Sequence, residues 1–287
     1  MRNEHSFRGY IHLKTIPEAS PGLIAEAGRW ADRISINIEL PTRADVAALA
    51  PQKNFENTQV AMGEIRAQID KAKAERKEHA KAPPFAPAGQ STQMIVGATA
   101  ADDATILEQA SSLYTKHRLR RVYYSAFSPI PDSSSKLPLI APPLVREHRL
   151  YQADWLIRFY GFKVEEIAAS GNLDLAVDPK LSWALGHGHL FPIDLNKAPR
   201  ELLLRVPGLG QKSVERILRL RRWHKLRSQD LARLRLPVSK VLPFVTVADH
   251  NPSALALDSD NLARHFQGTA QQLDLFPVEQ SVISGEL

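Results

Sequence analysis

The sequence lacks cysteine altogether among its 287 residues. Disulfide bonds, thiol catalysis and cysteine-ligated iron–sulfur clusters are therefore excluded within this chain. It also lacks any apolar run close to the roughly 18 residues that span a membrane. Its start, MRNEHSFRGY, lacks the apolar core of a signal peptide. These absences predict a soluble, cytoplasmic protein with no membrane partner.

The most distinctive stretch that is present is the segment VPGLGQKS at residues 206–213. Apolar residues at helical spacing precede and follow it, which predicts two helices joined by a tight turn. Glycine in such a turn adopts positive φ and lets the backbone approach a ligand closely. The second helix opens at a lysine and a serine, so its free amides and positive dipole end suit a phosphate. The candidate DNA-binding residues are Pro207, Gly208, Leu209, Gly210, Lys212 and Ser213.

Charge favours a phosphate ligand over the alternative, which is an ordinary αα-hairpin with a glycine turn. Residues 197–240 contain 13 Lys/Arg and 3 Asp/Glu, a net charge of +10, while the whole chain carries +6 and the remainder therefore −4. A basic segment on a mildly acidic protein is typical of DNA-backbone binding. Such binding is sequence-independent and salt-sensitive. A second hairpin without glycine is predicted at 227–240, packed against the first.

Residues 8–130 alternate between strand and helix patterns. Strands are predicted at residues 9–16, 33–40, 91–98 and 120–127. The alternation predicts parallel βαβ units, either in an open sheet or as part of a barrel. In both cases the site forms at the carboxyl ends of the strands. Asn37 and Glu39 lie on the polar face of the second strand, and Gly97, Ala98 and Thr99 supply small residues at the end of the third. Together these residues predict a ligand pocket.

Two other chemistries are open alternatives. His12, Lys14 and Glu39 could serve an α/β enzyme that works without iron. His187-Gly188-His189 suggests a metal, but metal-ligand spacing is absent elsewhere in the sequence. We interpret it as a glycine-containing loop that enters the hairpin module, and we predict no metal site.

Several passages carry a resemblance to a known family. In chain order they are HLKTIP (12–17), INIELP (36–41), PAGQSTQMIVGA (87–98), RVYYSA (121–126) and the hairpin with its lead-in IDLNKA (193–198). They resemble the DNA modification/repair radical S-adenosylmethionine (SAM) proteins, which carry a C-terminal helix-hairpin-helix. The resemblance runs from Phe7 to about Thr246.

The resemblance implies a fold, a cofactor and particular residue roles. Radical SAM enzymes hold a [4Fe–4S] cluster in a partial (β/α)6 barrel through three cysteines, and the cluster splits SAM to a radical. By this resemblance, Asn37 and Glu39 contact the ribose or amino-acid part of SAM. Gly97, Ala98 and Thr99 lie against its adenine.

This chain departs from the family in lacking the cysteine motif and the first strands. It is then a truncated copy, a chain with a misplaced start, or one half of a protein completed by a second polypeptide. The cluster and its radical chemistry are not expected in the chain as it stands.

The predicted fold is α/β, with a partial radical-SAM-type barrel of about four parallel strands, an all-α helix-hairpin-helix domain and a disordered tail. The predicted domains are the barrel at 1–130, a helical connector at 131–185, the hairpin domain at 186–247 and the tail at 248–287. The end of the connector, 172–183, is predicted as a connecting region. The predicted function is a radical SAM-like protein that acts on or binds DNA in modification or repair.

The tail contains one short motif of its own, Gln272-Leu273-Asp274-Leu275-Phe276. It resembles the pentapeptide by which bacterial replication and repair proteins dock on the sliding clamp. A disordered segment can place two apolar anchors, here Leu275 and Phe276, in a preformed groove. The alternative function is therefore a non-catalytic DNA-binding adaptor that docks on the clamp.

Overall fold

The computed structural model describes residues 2, 4–131 and 134–252. The chain divides into two compact units, Met1–Tyr151 (unit 1) and Gln152–Leu287 (unit 2). The predicted α/β class is confirmed, because helices accompany a four-stranded parallel sheet. Within the described ranges, no helix is both long enough and apolar enough to cross a membrane.

Unit 1 alternates strands and helices, and its last helix continues into unit 2. The elements are β1 (His12–Thr15), α1 (Pro21–Trp30), β2 (Arg33–Ile36), α2 (Arg43–Leu49), α3 (Phe55–Glu78), β3 (Gln90–Val96), α4 (Asp103–His117), β4 (Arg121–Ala126) and α5 (Leu144–Tyr160). The strands pair in the order β1-β2-β3-β4 and all run parallel. Each parallel pair is joined by a helical crossover, since a short turn cannot connect parallel strands.

The sheet of unit 1 is buried on both faces at its second strand. Ile34 and Ile36 are 0% and 1% exposed, and Ser35 between them is 6% exposed. Successive strand residues point to opposite faces, so both faces of β2 are covered. Burial of each isoleucine contributes roughly 1.5–3 kcal/mol. The sheet is thus a firm support for the residues that follow its strands.

All four predicted strands are longer than the observed ones, and the first two differ most. β2 ends at Ile36 instead of residue 40, and β1 covers only His12–Thr15 of the predicted 9–16. Glu39 has a φ of 67°, which takes the chain out of the extended conformation. The backbone of Glu39 nevertheless accepts a hydrogen bond from the Ile95 amide at 2.7 Å. The segment after β2 therefore stays attached to β3 without continuing the strand.

The described part of unit 2, residues 152–252, has helices and one short two-stranded sheet. After the end of α5 its elements are α6 (Val164–Ile167), α7 (Pro179–Gly186), β5 (Ile193–Asp194), α8 (Arg200–Leu203), α9 (Gln211–Leu220), α10 (Ser228–Arg233), α11 (Val238–Val241) and β6 (Val245–Thr246). Helix α7 begins in the stretch for which the sequence predicts only a connection. Its start is nevertheless signalled by Asp178 before Pro179, and Asp178 Oδ1 accepts from the Leu181 amide at 3.0 Å.

One hydrophobic core unites the helices of unit 2. Leu181 of α7, Leu203 of α8, Val214 of α9 and Leu231 of α10 all belong to it. Val241 of α11 is also buried there. The predicted packing of a second, glycine-free helical pair (α10 and α11) against the first (α8 and α9) is therefore confirmed.

Residues 248–250, which the sequence assigns to the tail, belong to unit 2. The Ala248 amide donates to the Leu226 carbonyl at 2.9 Å. Asp249 accepts from the Ser228 amide at 2.7 Å and from its hydroxyl at 2.8 Å. The polar sequence of these residues predicts a tail, because their hydrogen-bond partners, Leu226 and Ser228, are distant in the sequence. The clamp-like pentapeptide at 272–276 lies outside the described residues.

Candidate nucleic-acid interface

The predicted glycine hairpin joins α8 to α9. Val206 and Leu209 anchor the hairpin in the core of unit 2, because these residues are 0% and 1% exposed. The Leu209 amide donates to the Val206 carbonyl at 3.1 Å, which closes the turn. Gly208, between them, has a φ of 81°, a conformation that favours glycine. The sequence and the structure thus agree on a tight turn with buried apolar anchors.

The two glycines of the hairpin have different structural roles. A Cβ at Gly208 would lie 3.0 Å from Val241 and 3.1 Å from Pro237, closer than ordinary contacts. Gly208 therefore lets the second helical pair pack against the turn. Gly210 has a φ of −90°, and a Cβ there would lie 3.4 Å from the Tyr160 hydroxyl. Its backbone conformation is open to other residues.

A buried lysine holds the hairpin backbone from within. Lys180 is 8% exposed, and its Nζ donates to the Leu209 carbonyl at 2.6 Å. The ammonium also lies 4.8 Å from the centre of the Tyr160 ring. Burial lowers the pKa of Lys180 to about 7, against a smaller raising by Asp178 and with a further lowering by Arg205. The C=O and N–H of a trans peptide point in opposite directions, so the inward carbonyl turns the Gly210 amide away from Lys180.

The start of α9 offers amides to an anion. Gly210 is the N-cap residue and has no side chain to accept from them. The amides of Gln211, Lys212 and Ser213 belong to the first turn, where a helix has no intrahelical acceptors. The positive end of the helix dipole lies at the same place. A phosphate oxygen suits this position.

A row of cations continues from these amides along α9. Lys212, Arg216 and Arg219 are exposed, and their spacing of i, i+4 and i+7 places them on one helical face. None of these three side chains forms an ion pair with any residue that the structure describes. On another face, Val214 and Ile217 are fully buried. We call Lys212, Arg216 and Arg219 the α9 stripe. The helix that carries it has 10 residues and is therefore about 15 Å long, at 1.5 Å per residue.

The predicted cofactor residues lie together in unit 1, at the carboxyl edge of the sheet. Asn37 and Glu39 follow β2, and residues 97–99 follow β3. Leu40 and Ala98 belong to one small apolar cluster, so the two segments touch. The structure therefore brings the five predicted residues to one edge, where α/β folds bind ligands.

The polar groups at this edge have partners within the protein. Asn37 Nδ2 donates to Gln93 Oε1 at 3.3 Å. Glu39 Oε1 accepts from Lys53 Nζ at 3.0 Å and lies 3.8 Å from Lys14 Nζ. Glu39 is also a non-glycine residue with positive φ, a strained state that costs about 1–3 kcal/mol and clusters at functional sites. Among the five predicted cofactor residues, Glu39 is the non-glycine residue with a strained backbone.

The segment after β3 is also filled by the protein itself. Gly97 has a φ of 81°, and a Cβ there would lie 2.6 Å from Pro142 Cγ. The proline ring thus occupies the space that the sequence assigns to a ligand. Thr99 Oγ1 accepts a hydrogen bond from the Ala101 amide at 3.3 Å, and Ala98 is 4% exposed. These small residues serve close packing in the structure as it stands.

The residues present do not fit an iron–sulfur cluster. The sequence has no cysteine to supply thiolates, and the described part of the chain holds no group of three His, Cys, Asp or Glu placed to bind a metal. His187 is used in packing: its ring stacks on Trp183 with centroids 4.3 Å apart, and its Nδ1 lies 2.8 Å from the Trp183 carbonyl.

A basic cavity of about 310 Å³ lies near the opposite edge of the sheet, at the start of β3. Arg66, Lys73, Arg118 and Arg120 line it together with Asp70. Asp70 lies 3.5 Å from Arg66 and 3.8 Å from Arg118, so part of this charge is paired. The cavity is separate from the predicted cofactor residues, which follow the carboxyl ends of the strands.

No protein-family model, curated protein or solved structure matches this chain significantly. Function is therefore inferred from the geometry of the site and from the sequence itself. Two site residues escape the sequence analysis. Lys180 looks like any surface lysine, because only the fold reveals its burial. Trp223, which is 83% exposed just after α9, has a visible signal, since it is a tryptophan within the basic run RRWHK.

Proposed function

We propose that unit 2 binds the DNA phosphate backbone without reading base sequence, through the amides at the start of α9 and the α9 stripe. The observation that carries this proposal is a row of cations without ion-pair partners in the described chain, starting at a helix end that has no side-chain cap. Phosphate contacts of this kind fix the position of a duplex without reading its bases. Binding is therefore salt-sensitive and equal for unrelated sequences.

Other parts of the chain support a role for this binding in DNA modification or repair. The resemblance to radical SAM proteins with a C-terminal helix-hairpin-helix supports a role in DNA modification or repair, with unit 1 as a partial barrel. Asn37 and Glu39 stand as its proposed SAM-contacting positions. Residues 97–99 do not, because Pro142 packs on Gly97 and Ala98 is buried. Because this chain has no cysteine, the role proposed for it is binding and not radical chemistry. The pentapeptide at 272–276 supports an adaptor that also docks on the sliding clamp.

An acidic residue at the start of α9 tests the phosphate site. Ser213→Asp places a carboxylate in the first turn, where it stabilises the helix by about 0.3–1 kcal/mol. The same carboxylate repels a phosphate and competes for the amides. We expect duplex affinity to fall by about tenfold or more, equivalent to about 1.4 kcal/mol, while the free energy of unfolding rises slightly. Fluorescence anisotropy and urea denaturation measure the two quantities.

The matched control is Ser170→Asp, which adds the same charge at an exposed serine of unit 2. It should change duplex affinity by no more than about twofold. If both variants bind duplex DNA as the wild type does, the start of α9 is not the phosphate site. If both weaken binding equally, net charge and not this helix end explains the effect.

A further inference from the structure

Trp223 stands exposed just beyond the end of α9. Its side chain is 83% exposed, and its backbone amide donates to the Leu220 carbonyl at 3.0 Å. It follows Arg219, the last member of the α9 stripe, by four residues and lies in the turn after the helix. A tryptophan left in water forgoes a large apolar contribution to folding. Tryptophan is enriched at binding sites, whereas leucine is under-represented among the residues that dominate them.

The loop that carries Trp223 is fixed on both sides. Before it, Arg221 Nη1 donates to the Ala198 carbonyl at 2.7 Å. After it, Leu226 is fully buried, and its amide donates to Asn196 Oδ1 at 2.8 Å. The indole is therefore presented by an anchored turn. A ligand that binds it has little ordering cost to overcome.

The surroundings of Trp223 are basic. Arg222, Lys225 and Arg227 are exposed. A cavity of about 380 Å³ lies beside them, lined by side chains that include His224, Lys225, Arg227, Asp230 and Arg233. The acidic member, Asp230, is 6% exposed and accepts from the Arg227 amide at 2.9 Å. The exposed cations Arg222, Lys225 and Arg227 outnumber the exposed carboxylate near them, Asp249, which accepts from Ser228. The net charge near the indole is thus positive.

A flat aromatic ring among cations matches the chemistry of an unpaired nucleobase. The base stacks on the ring while its phosphates lie against lysine and arginine. Bases within a duplex are stacked on each other and offer no free face to an indole. A regular duplex therefore satisfies the α9 stripe but leaves Trp223 without a partner.

We infer that Trp223 stacks on an unpaired nucleobase, so that the DNA taken by unit 2 contains unpaired bases next to the backbone held by the α9 stripe. This inference rests on the proposed phosphate binding and narrows it to a substrate class: single strands, gaps, or duplexes with an extruded base. The cations around Trp223 hold the phosphates that flank that base.

The test compares three DNA ligands on the full chain by fluorescence anisotropy: an oligothymidine strand, an abasic strand of the same length, and a duplex. Wild-type protein should bind oligothymidine about 5- to 150-fold more tightly than the abasic strand, the range that stacking of one base supplies. Trp223→Ala should remove this difference and leave duplex affinity within about twofold, because an exposed substitution rarely disturbs a fold. Trp223→Phe keeps an aromatic ring and should retain part of the difference.

Each other outcome has a distinct meaning. If Trp223→Ala binds oligothymidine as the wild type does, the stacking inference is wrong while phosphate binding stands. If the variant weakens all three ligands equally, Trp223 supports the site generally and the base-stacking role is again wrong. If the wild type binds none of the ligands, both the stacking inference and the proposed function fall.

Discussion

Replacing the buried Lys180 by methionine separates stability from function. Lys180→Met keeps an unbranched apolar stem and removes the ammonium that holds the Leu209 carbonyl at 2.6 Å. The peptide between Leu209 and Gly210 then loses a charge-assisted hydrogen bond. The Gly210 amide, which precedes the phosphate-binding amides at the start of α9, is no longer held outward. We expect duplex affinity at pH 7 to fall about tenfold, since part of the ordering cost moves into the binding step.

Although Lys180→Met should weaken DNA binding, it should raise the free energy of unfolding at pH 6. A Lys180 pKa lowered from 10.5 to about 7 corresponds to a cost of about 5 kcal/mol for the charged lysine, at roughly 1.4 kcal/mol per pH unit. The carbonyl that the methionine leaves unsatisfied costs only about 1–3 kcal/mol. The cost of burying the charged lysine is larger than the cost of the unsatisfied carbonyl, so Lys180→Met should be more stable than the wild type at pH 6.

The pH dependence of stability provides a second signature. Between about pH 7 and 10.5 the unfolded chain still holds the Lys180 proton while the folded protein has released it. Stability therefore rises with pH in this window, because the unfolded state binds more protons. The wild type should gain about 2 kcal/mol from this group between pH 7 and 9, and Lys180→Met should lack that gain.

Urea denaturation at pH 6, 7 and 9 measures stability, and anisotropy with a labelled duplex measures binding. Lys163→Met is the control, because it removes one positive charge from an exposed position of the same unit. The reasoning is refuted if Lys180→Met binds duplex as tightly as the wild type. A loss of stability greater than about 2 kcal/mol at pH 6 would equally contradict the energetic comparison.

Three further predictions address other parts of the chain. Arg216→Ala should weaken duplex binding for every sequence and reduce the slope of log K against log salt by about 1, in titrations at several NaCl concentrations. Gly208→Ala should lower the free energy of unfolding by about 1–3 kcal/mol through its positive φ and tight contacts, whereas Gly22→Ala, in open space within α1, should be neutral or stabilising. Leu275→Ala with Phe276→Ala should abolish capture by immobilised sliding clamp and leave duplex affinity unchanged; clamp binding by this double variant would remove the pentapeptide from the account.

Local signals in the sequence predict much of the fold. The alternation of strand and helix patterns predicts the four parallel strands, because a parallel pair requires a crossover. The glycine hairpin is equally local: apolar residues flank it at helical spacing, and positive φ at Gly208 follows from residue type. The cationic face of α9 is also readable from the spacing of Lys212, Arg216 and Arg219.

Contacts between distant residues are what the sequence does not reveal. Lys180 lies 29 residues before Leu209, and no local pattern distinguishes this lysine from a solvated one. Pro142 packs on Gly97, so a glycine interpreted as room for a ligand is filled by the chain itself. Glu39 continues an alternating strand pattern, yet its backbone leaves the strand. In each case tertiary contacts override the local preference.

The central claim is that unit 2 holds the DNA backbone through α9. Anisotropy titration of the full chain with two duplexes of equal length and unrelated sequence, repeated from low to high NaCl, tests it most directly. We expect equal affinities for the two duplexes and a steep fall of both with salt, because binding releases counterions from the neutralised phosphates. Absence of binding at low salt, or an affinity that differs strongly between the duplexes and is insensitive to salt, would contradict it.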